Sequence, residues 1–133
     1  MNVKILISDR EYSSYKCINI NTEEVEVIPS IDIFERKLFN NDIMEFKDGK
    51  VELIQSQIRK ASKIAGVLVL ENNKSYGRHS NGKLMYKVIP DDTHLPQFLV
   101  PYELKIGFSK KFINKYITFC FREWDGKHPI GSI

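Results

Sequence analysis

Aromatic and basic side chains occur together in the second half of the chain, and together they suit the binding of single-stranded nucleic acid. Aromatic rings stack on bases, and ammonium or guanidinium groups pair with phosphates. Tyr76 and Tyr86 are the stacking candidates, and such binding would supply affinity and threading of the strand, not readout of its sequence. The first group of candidate RNA-binding residues comprises Lys74, Tyr76, Arg78, Lys83, Tyr86 and Lys87.

A second group of basic and aromatic residues follows further along the chain. An alternative explanation applies to both groups: the aromatic side chains would form the core of a β-barrel, and the lysines its solvated rim. This alternative is stronger for the second group, because Phe108 and Phe112 could anchor a loop in the core. The second group of candidate RNA-binding residues comprises Phe108, Lys110, Lys111, Lys115 and Tyr116.

Charge is distributed unevenly along the sequence, although the net charge is only +3. Residues 1–57 contain 7 Lys and Arg against 11 Asp and Glu, a net charge of −4. Residues 58–133 contain 13 against 6, a net charge of +7. A small basic half points to a polyanionic partner, with RNA or DNA the usual ones. The acidic half could instead dock a protein partner.

Motifs for catalysis or metal binding are missing from the sequence. The three histidines stand apart in predicted turns, so they form no zinc pattern. No glycine-rich phosphate loop has the required spacing. The one Asp-Asp pair, Asp91-Asp92, lies in a turn bracketed by prolines, where aspartate serves turn geometry. We therefore predict no catalytic residue, no metal ligand and no cofactor in this chain.

The sequence predicts an intracellular protein, cytoplasmic or nuclear, that has no membrane partner. No apolar run approaches the ~20 residues needed to span a bilayer. The first residues lack the apolar region of a secretory signal. Cys17 and Cys120 are far apart in sequence, and in a reducing compartment both are expected to be buried thiols.

Short apolar runs separated by turn residues predict a mostly β protein with little helix. Lys47-Asp48-Gly49 is a strong hairpin signal between two of the runs. In the first half this order of elements is that of an OB-fold barrel. The predicted elements of this half are strands at 2–8, 14–20, 25–28, 43–46 and 50–54, with a short helix at 31–39.

The second half repeats this order less completely, with strands at 64–70, 83–89, 98–102 and 115–124. A fifth strand should follow Gly131, where only two residues remain. The predicted fold is thus two small, cold-shock-like OB-fold barrels of five strands in tandem. The second barrel would lack most of its last strand. The predicted domains are residues 1–57 and 58–133.

Several short motifs in the second half resemble the second cold-shock domain of the ribonuclease II family, which includes ribonuclease R and the exosome exoribonuclease. They are Val88-Ile89-Pro90-Asp91-Asp92, Leu95-Pro96, Val100-Pro101, and Trp124 followed by Pro129-x-Gly131. In the first half, Leu38–Ile43 is similar to the turn into the fourth strand of the first cold-shock domain. Asn41 stands there in place of the usual glycine, and asparagine also accepts a left-handed backbone.

The resemblance implies the single-stranded RNA-binding N-terminal region of a 3′→5′ exoribonuclease. Such a region captures RNA and guides it to a separate catalytic domain, which this chain does not contain. Mg²⁺, held by aspartates, would be expected only in that absent domain. Two alternatives remain: a stand-alone OB-fold module that binds nucleic acid or protein without any nuclease, and a DNA-binding OB-fold protein.

Overall fold

A computed structural model describes residues 1–28, 31–103 and 113–133. The protein is mostly β and divides into two compact units, Met1–Lys60 and Ala61–Ile133. Within the described ranges, no helix is both long and apolar enough to cross a membrane.

The first unit is built around β1, the central strand of a five-stranded sheet. Every second side chain of β1, from Val3 through Ile5 to Ile7, is buried, as the alternating sequence predicts. These side chains pack with Leu38 and Met44 in the core of the unit. The elements of the unit are β1 (Asn2–Ile7), β2 (Tyr15–Asn19), β3 (Val25–Glu26), β4 (Ile43–Lys47), β5 (Lys50–Gln55) and α1 (Gln57–Lys60).

The predicted hairpin between β4 and β5 is present, with a two-residue turn at Asp48 and Gly49. Both turn residues have a positive φ, of 51° and 76°. A two-residue turn of this kind matches the right-handed twist of the flanking strands, so Lys47 pairs directly with Lys50. Asn41, which precedes β4, has a φ of 70°, the left-handed conformation anticipated for it.

Two predictions for the first unit are wrong. Its sheet has the antiparallel order β3-β2-β1-β4-β5, with β3 and β5 at the edges, so the described strands do not close into the predicted barrel. β3 is only two residues long, so it offers few backbone groups with which another strand could pair to close a barrel. The predicted helix at 31–39 is a set of turns instead, which ends where Lys37 adopts a φ of 57°.

A buried carboxyl group lies beneath the turn that leads into β4. Asp42 is fully buried, and its Oδ2 accepts a hydrogen bond from the Phe39 N–H at 2.8 Å. Burial raises the pKa of Asp42 to about 6, although the Ser56 hydroxyl, the Phe39 N–H and the positive charge of Arg59 oppose that rise. The Arg59 guanidinium lies 5.3 Å from the Phe39 ring centroid and donates to the Lys37 carbonyl at 2.6 Å.

We expect the first unit to lose stability as the pH rises from about 4 to about 6. Below this window Asp42 is protonated in both states. Within it, the unfolded chain releases the proton, while the folded state retains it until its raised pKa is reached. Two pKa units correspond to about 3 kcal/mol. Asp42→Asn should remove this pH dependence, measured as the free energy of unfolding from amide exchange in β1.

Asp48→Asn is the matched control, because Asp48 is exposed in the hairpin turn and asparagine accepts its positive φ. The control should keep the pH dependence of the native protein. Equal pH dependence in native protein and Asp42→Asn would refute the assignment to Asp42.

The second unit is a closed five-stranded barrel with the strand order β10-β8-β7-β6-β9. β8 and β10 pair in parallel, and the other four pairs are antiparallel. Tyr86, Phe98 and Phe119 fill the interior, and Phe98 and Phe119 meet edge to face at 4.9 Å between centroids. The elements are β6 (Ile64–Val69), β7 (Met85–Pro90), β8 (Phe98–Pro101), β9 (Lys115–Glu123) and β10 (Ile130–Ser132), with a 3₁₀ turn at Glu71–Asn73.

The prediction that the second barrel lacks most of its last strand is wrong. β10 is only three residues long, yet it joins β8 to β9 and closes the barrel. Its Gly131 packs so tightly that an added Cβ would lie 2.8 Å from the Phe119 ring and 3.0 Å from the Cys120 carbonyl oxygen. The sequence predicts a fifth strand only after this glycine; in the structure, the glycine lies inside the strand and permits close packing there.

We expect Gly131→Ala to destabilise the second unit by about 1–3 kcal/mol, the usual cost of overpacking a core. The backbone oxygen of Cys120 cannot move aside as a flexible side chain would. The measurement is denaturant unfolding followed by fluorescence of Trp124, the one tryptophan of the chain, which is buried in this unit. Gly126→Ala is the matched control, since no atom lies within 4 Å of its added Cβ. Equal stability of the two variants would contradict this account of the closure.

Candidate nucleic-acid interface

The outward side chains of β6 and β7 form a half-buried apolar strip on the barrel. Cross-strand partners lie on the same face of a sheet, and so do residues two apart along a strand. Val67 pairs with Ile89 of β7, and Val69 pairs with Lys87. Val67, Val69 and Ile89 are all half-buried, while their neighbours along each strand point into the core. We call these three residues the outer strip.

An exposed aromatic ring borders one side of the outer strip. Tyr116 of β9 pairs with Val67, so its side chain lies on the same outward face. The residue is 68% exposed, and its hydroxyl donates a hydrogen bond to Asp91 Oδ2. Because this bond tethers the tip of the side chain while leaving the ring accessible, the ring is positioned to accept a stacked partner.

A small groove lies at the other end of the outer strip, beside the loop that follows β6. Its volume is about 220 Å³. Asn114 positions the start of this loop, because its side-chain Oδ1 accepts hydrogen bonds from the Leu70 and Glu71 N–H groups at 2.9 and 3.0 Å. The groove is lined by Val69, Glu71, Asn72, Lys74, Tyr76 and Lys87.

The aromatic wall of the groove is held by a short extension of β7. The Tyr76 N–H donates to the Met85 carbonyl, and the Met85 N–H donates to the Gly77 carbonyl, both at 2.8 Å. Lys74 Nζ lies 5.3 Å from the Tyr76 ring centroid, within cation–π distance. Tyr76 and two lysines, Lys74 and Lys87, therefore line one cavity.

Among the predicted site residues, the structure brings Lys74, Tyr76 and Lys87 together in this groove. Arg78 and Lys83 are exposed on the neighbouring hairpin and are not among the residues that line the groove. Arg78 Nη1 donates to the Gly82 carbonyl at 2.8 Å, which uses part of its donor capacity within the turn.

Tyr86 is not available for base stacking, which corrects the prediction made for it. It is only 2% exposed, and its ring packs edge to face against Tyr102 at 6.3 Å between centroids. Its position follows from strand alternation, since it shares the inward face of β7 with Val88. Truncation to alanine would remove a large core side chain at a cost of roughly 3–5 kcal/mol, so it would test folding and not stacking.

The structure does not bring the second group of candidate RNA-binding residues together at one place. Tyr116 borders the outer strip, as described above. Lys115 instead pairs with Leu68, and its Nζ lies 3.0 Å from the Tyr102 hydroxyl and 5.5 Å from the ring centroid. Phe108, Lys110 and Lys111 lie outside the described residues.

Sequence reasoning missed four residues that shape the groove: Val69, Glu71, Asn72 and Asn114. One signal was available, since the consecutive asparagines Asn72 and Asn73 favour a left-handed backbone, and both adopt it with φ of 63° and 50°. The role of Asn114 had no signal in the sequence, because it depends on pairing 43 or more residues apart.

The Asp-Asp pair and the histidines considered in the sequence analysis have contacts within the protein. Asp92 Oδ1 accepts a hydrogen bond from the His94 N–H at 2.9 Å, as a turn-forming aspartate does. His79 Nε2 lies 3.6 Å from Glu123 Oε1. In the ranges that the structure describes, no three His, Cys, Asp or Glu residues are grouped so that they could hold a metal ion.

We expect Asn114→Ala to loosen the wall of the groove, because two backbone N–H groups lose their acceptor. The cost should be about 1–3 kcal/mol if these groups stay unpaired, and amide exchange at Leu70 and Glu71 should accelerate. Exchange is measured by nuclear magnetic resonance. Asn114→Asp retains the acceptor oxygen and should keep both amides protected; unchanged exchange in the alanine variant would show that the anchor is unimportant.

Comparison with models of protein families finds none that matches the chain. Searches of curated proteins and of solved structures likewise find no match. The resemblance to the ribonuclease II family stays a prediction.

Proposed function

We propose that the second unit binds single-stranded nucleic acid, with RNA as the ligand, across the outer strip and the groove. One observation carries the proposal. The exposed Tyr116 and the half-buried Tyr76 border a half-buried apolar strip at separate points, Lys74 Nζ lies over the Tyr76 ring, and Lys87 lines the same groove. Stacking surfaces flanked by cations are the requirement for binding a strand without base pairing.

The topology of the barrel supports this proposal. Counted from β6, the strands close in the order 1-2-3-5-4, with the third and fifth in parallel, as in an OB-fold. OB-folds bind oligonucleotides on the face of their second and third strands and through the loop between the first and second. Lys87 stands on the second strand, and the loop from 70 to 84 carries Lys74 and Tyr76.

The charge of the second unit also favours a polyanion. Residues 61–133 contain 11 Lys and Arg against 6 Asp and Glu, a net charge of +5. Phosphate pairing by such groups releases counterions, so affinity should fall as salt rises.

In this mechanism one base enters the groove and stacks on Tyr76, while adjacent phosphates pair with Lys74 and Lys87. The strand then crosses the apolar outer strip, and another base stacks on Tyr116. Stacking tolerates every base, so these contacts hold a strand of any sequence. The 2′-hydroxyl is the group by which RNA differs from DNA in such a site, and direct comparison of the two strands decides between them.

A role as the front end of a 3′→5′ exoribonuclease extends the same proposal and is supported by the sequence resemblance alone. In that role the second unit would capture RNA and guide it to a catalytic domain outside this chain. A stand-alone nucleic-acid-binding module is the alternative with the same interface.

We expect the protein to bind labelled single-stranded RNA of about ten nucleotides, a length within the range bound by one OB-fold. Tyr76→Ala should weaken binding by about 1–3 kcal/mol through the loss of one stacked base, and Tyr76→Phe should retain affinity. The Lys74→Ala/Lys87→Ala variant should lower the slope of log affinity against log salt by about 1.4, for two lost phosphate contacts. Fluorescence anisotropy between about 50 and 200 mM salt measures both effects.

Lys4→Ala/Lys16→Ala is the matched control, because it removes the same charge from exposed strand positions in the first unit. It should bind RNA nearly as the native protein does. If both double variants weakened RNA binding equally, the interaction would depend only on net charge, and the proposed interface would be refuted. Absence of binding at low salt would refute the proposed function itself.

A protein partner on the first unit is the second candidate function. It is favoured by a cleft of about 720 Å³ whose apolar walls include Ile28, Ile31, Phe46 and Val51. Val27, at the edge of this cleft, is 98% exposed. Accessible apolar surface of this kind is typical of protein-binding sites.

A further inference from the structure

We propose that the groove selects guanine, so that the interface reads one base of the strand it holds. This inference rests on the proposed function and deepens it. The juxtaposition that carries it is an acidic residue, Glu71, lining the same small cavity as Tyr76, Lys74 and Lys87.

Glu71 is out of place in a site built solely for phosphate. The residue is exposed, and it forms no ion pair with any residue in the described ranges. Its negative charge would repel a polyanion that approaches the two lysines, and this lowers the affinity for an arbitrary strand. A carboxylate only accepts hydrogen bonds, so its presence is favourable when the ligand presents donors to it.

Guanine is the base that meets this requirement best. Its Watson–Crick edge carries two adjacent donors, N1–H and the N2 amino group, which match the two oxygens of a carboxylate. Cytosine and adenine each offer one amino group beside an acceptor. Uracil offers one N–H between two carbonyl oxygens, which the carboxylate would repel. Unpaired bases in single strands are open to reading along this edge.

The dimensions and remaining walls of the groove fit a single base. At about 220 Å³ it is smaller than the roughly 300–1,000 Å³ of clefts that enclose drug-sized ligands. Tyr76 supplies a stacking face, and Asn72, a residue whose amide can donate to the guanine O6 acceptor, also lines the groove. Two consecutive residues with left-handed backbone, Asn72 and Asn73, form the loop at this wall.

The test compares an all-uridine RNA of about ten nucleotides with the same RNA containing one central guanosine. A single guanosine avoids self-association of guanine-rich strands. We expect the guanosine strand to bind roughly 5- to 150-fold more tightly, the range of one good bidentate contact to a base. Inosine, which lacks the N2 amino group, should lose most of this preference.

Glu71→Gln gives the test its sharpest readout, because the guanosine preference and the affinity for all-uridine RNA should change in opposite directions. The amide has one acceptor oxygen and no charge, so the guanosine preference should fall while affinity for all-uridine RNA rises. Glu52→Gln, an exposed residue on β5 of the first unit, changes the net charge equally and should leave the preference intact.

The outcomes separate the two proposals. Equal binding of both strands by the native protein would refute guanine selection and leave the nucleic-acid interface standing. A guanosine preference that survives Glu71→Gln would also overturn the assignment to this residue. Absence of binding to either strand would refute the interface, and guanine selection with it.

Discussion

The proposed interface depends on the register of β6, because β7 and β9 both pair with this strand. Ile64, Gly66 and Leu68 point inward, and the intervening residues form the outward face. β7 and β9 pair with opposite edges of β6, so this one alternation places Lys87 and Tyr116 on a common surface. A slip of one residue would exchange buried and exposed faces, and burial of the core opposes such a slip. Gly66 tightens the constraint, since an added Cβ would lie 2.8 Å from the Ile89 carbonyl oxygen.

Much of the strand content could be predicted from the sequence, because alternation and turn residues are local signals. The β4–β5 hairpin and the buried face of β1 were predicted for this reason. The closure of the second unit into a barrel was not predictable in the same way. β10 is three residues long and depends on pairing with β8, more than 25 residues earlier. The first unit shows the converse, because a strand pattern typical of a barrel is present and the described strands form an open sheet.

The candidate site was predictable in its composition but not in its geometry. Lysines and tyrosines between 74 and 87 predict a site on one loop and the following strand, and the structure brings three of these residues together in one groove. Tyr86 is predicted to stack on bases because it occurs near Lys83 and Lys87, although its parity with Val88 favours the core, where the structure places it. Glu71 carried no signal, since an acidic residue in a basic region looks like ordinary charge balance until the walls of the groove are known.

In the proposed site, Glu71 would balance affinity against selectivity. Cations attract every strand equally and lose strength as salt screens them, whereas stacking holds bases with little regard to identity. A carboxylate beside them weakens attraction for all strands, but a base with two matched donors recovers the loss through direct hydrogen bonds. Selectivity in such a site comes from penalising the wrong base as well as favouring the right one. The anchored loop matters for this reason, because a carboxylate discriminates between bases only when its position relative to the stacking ring is fixed, and Asn114 fixes the backbone that carries it.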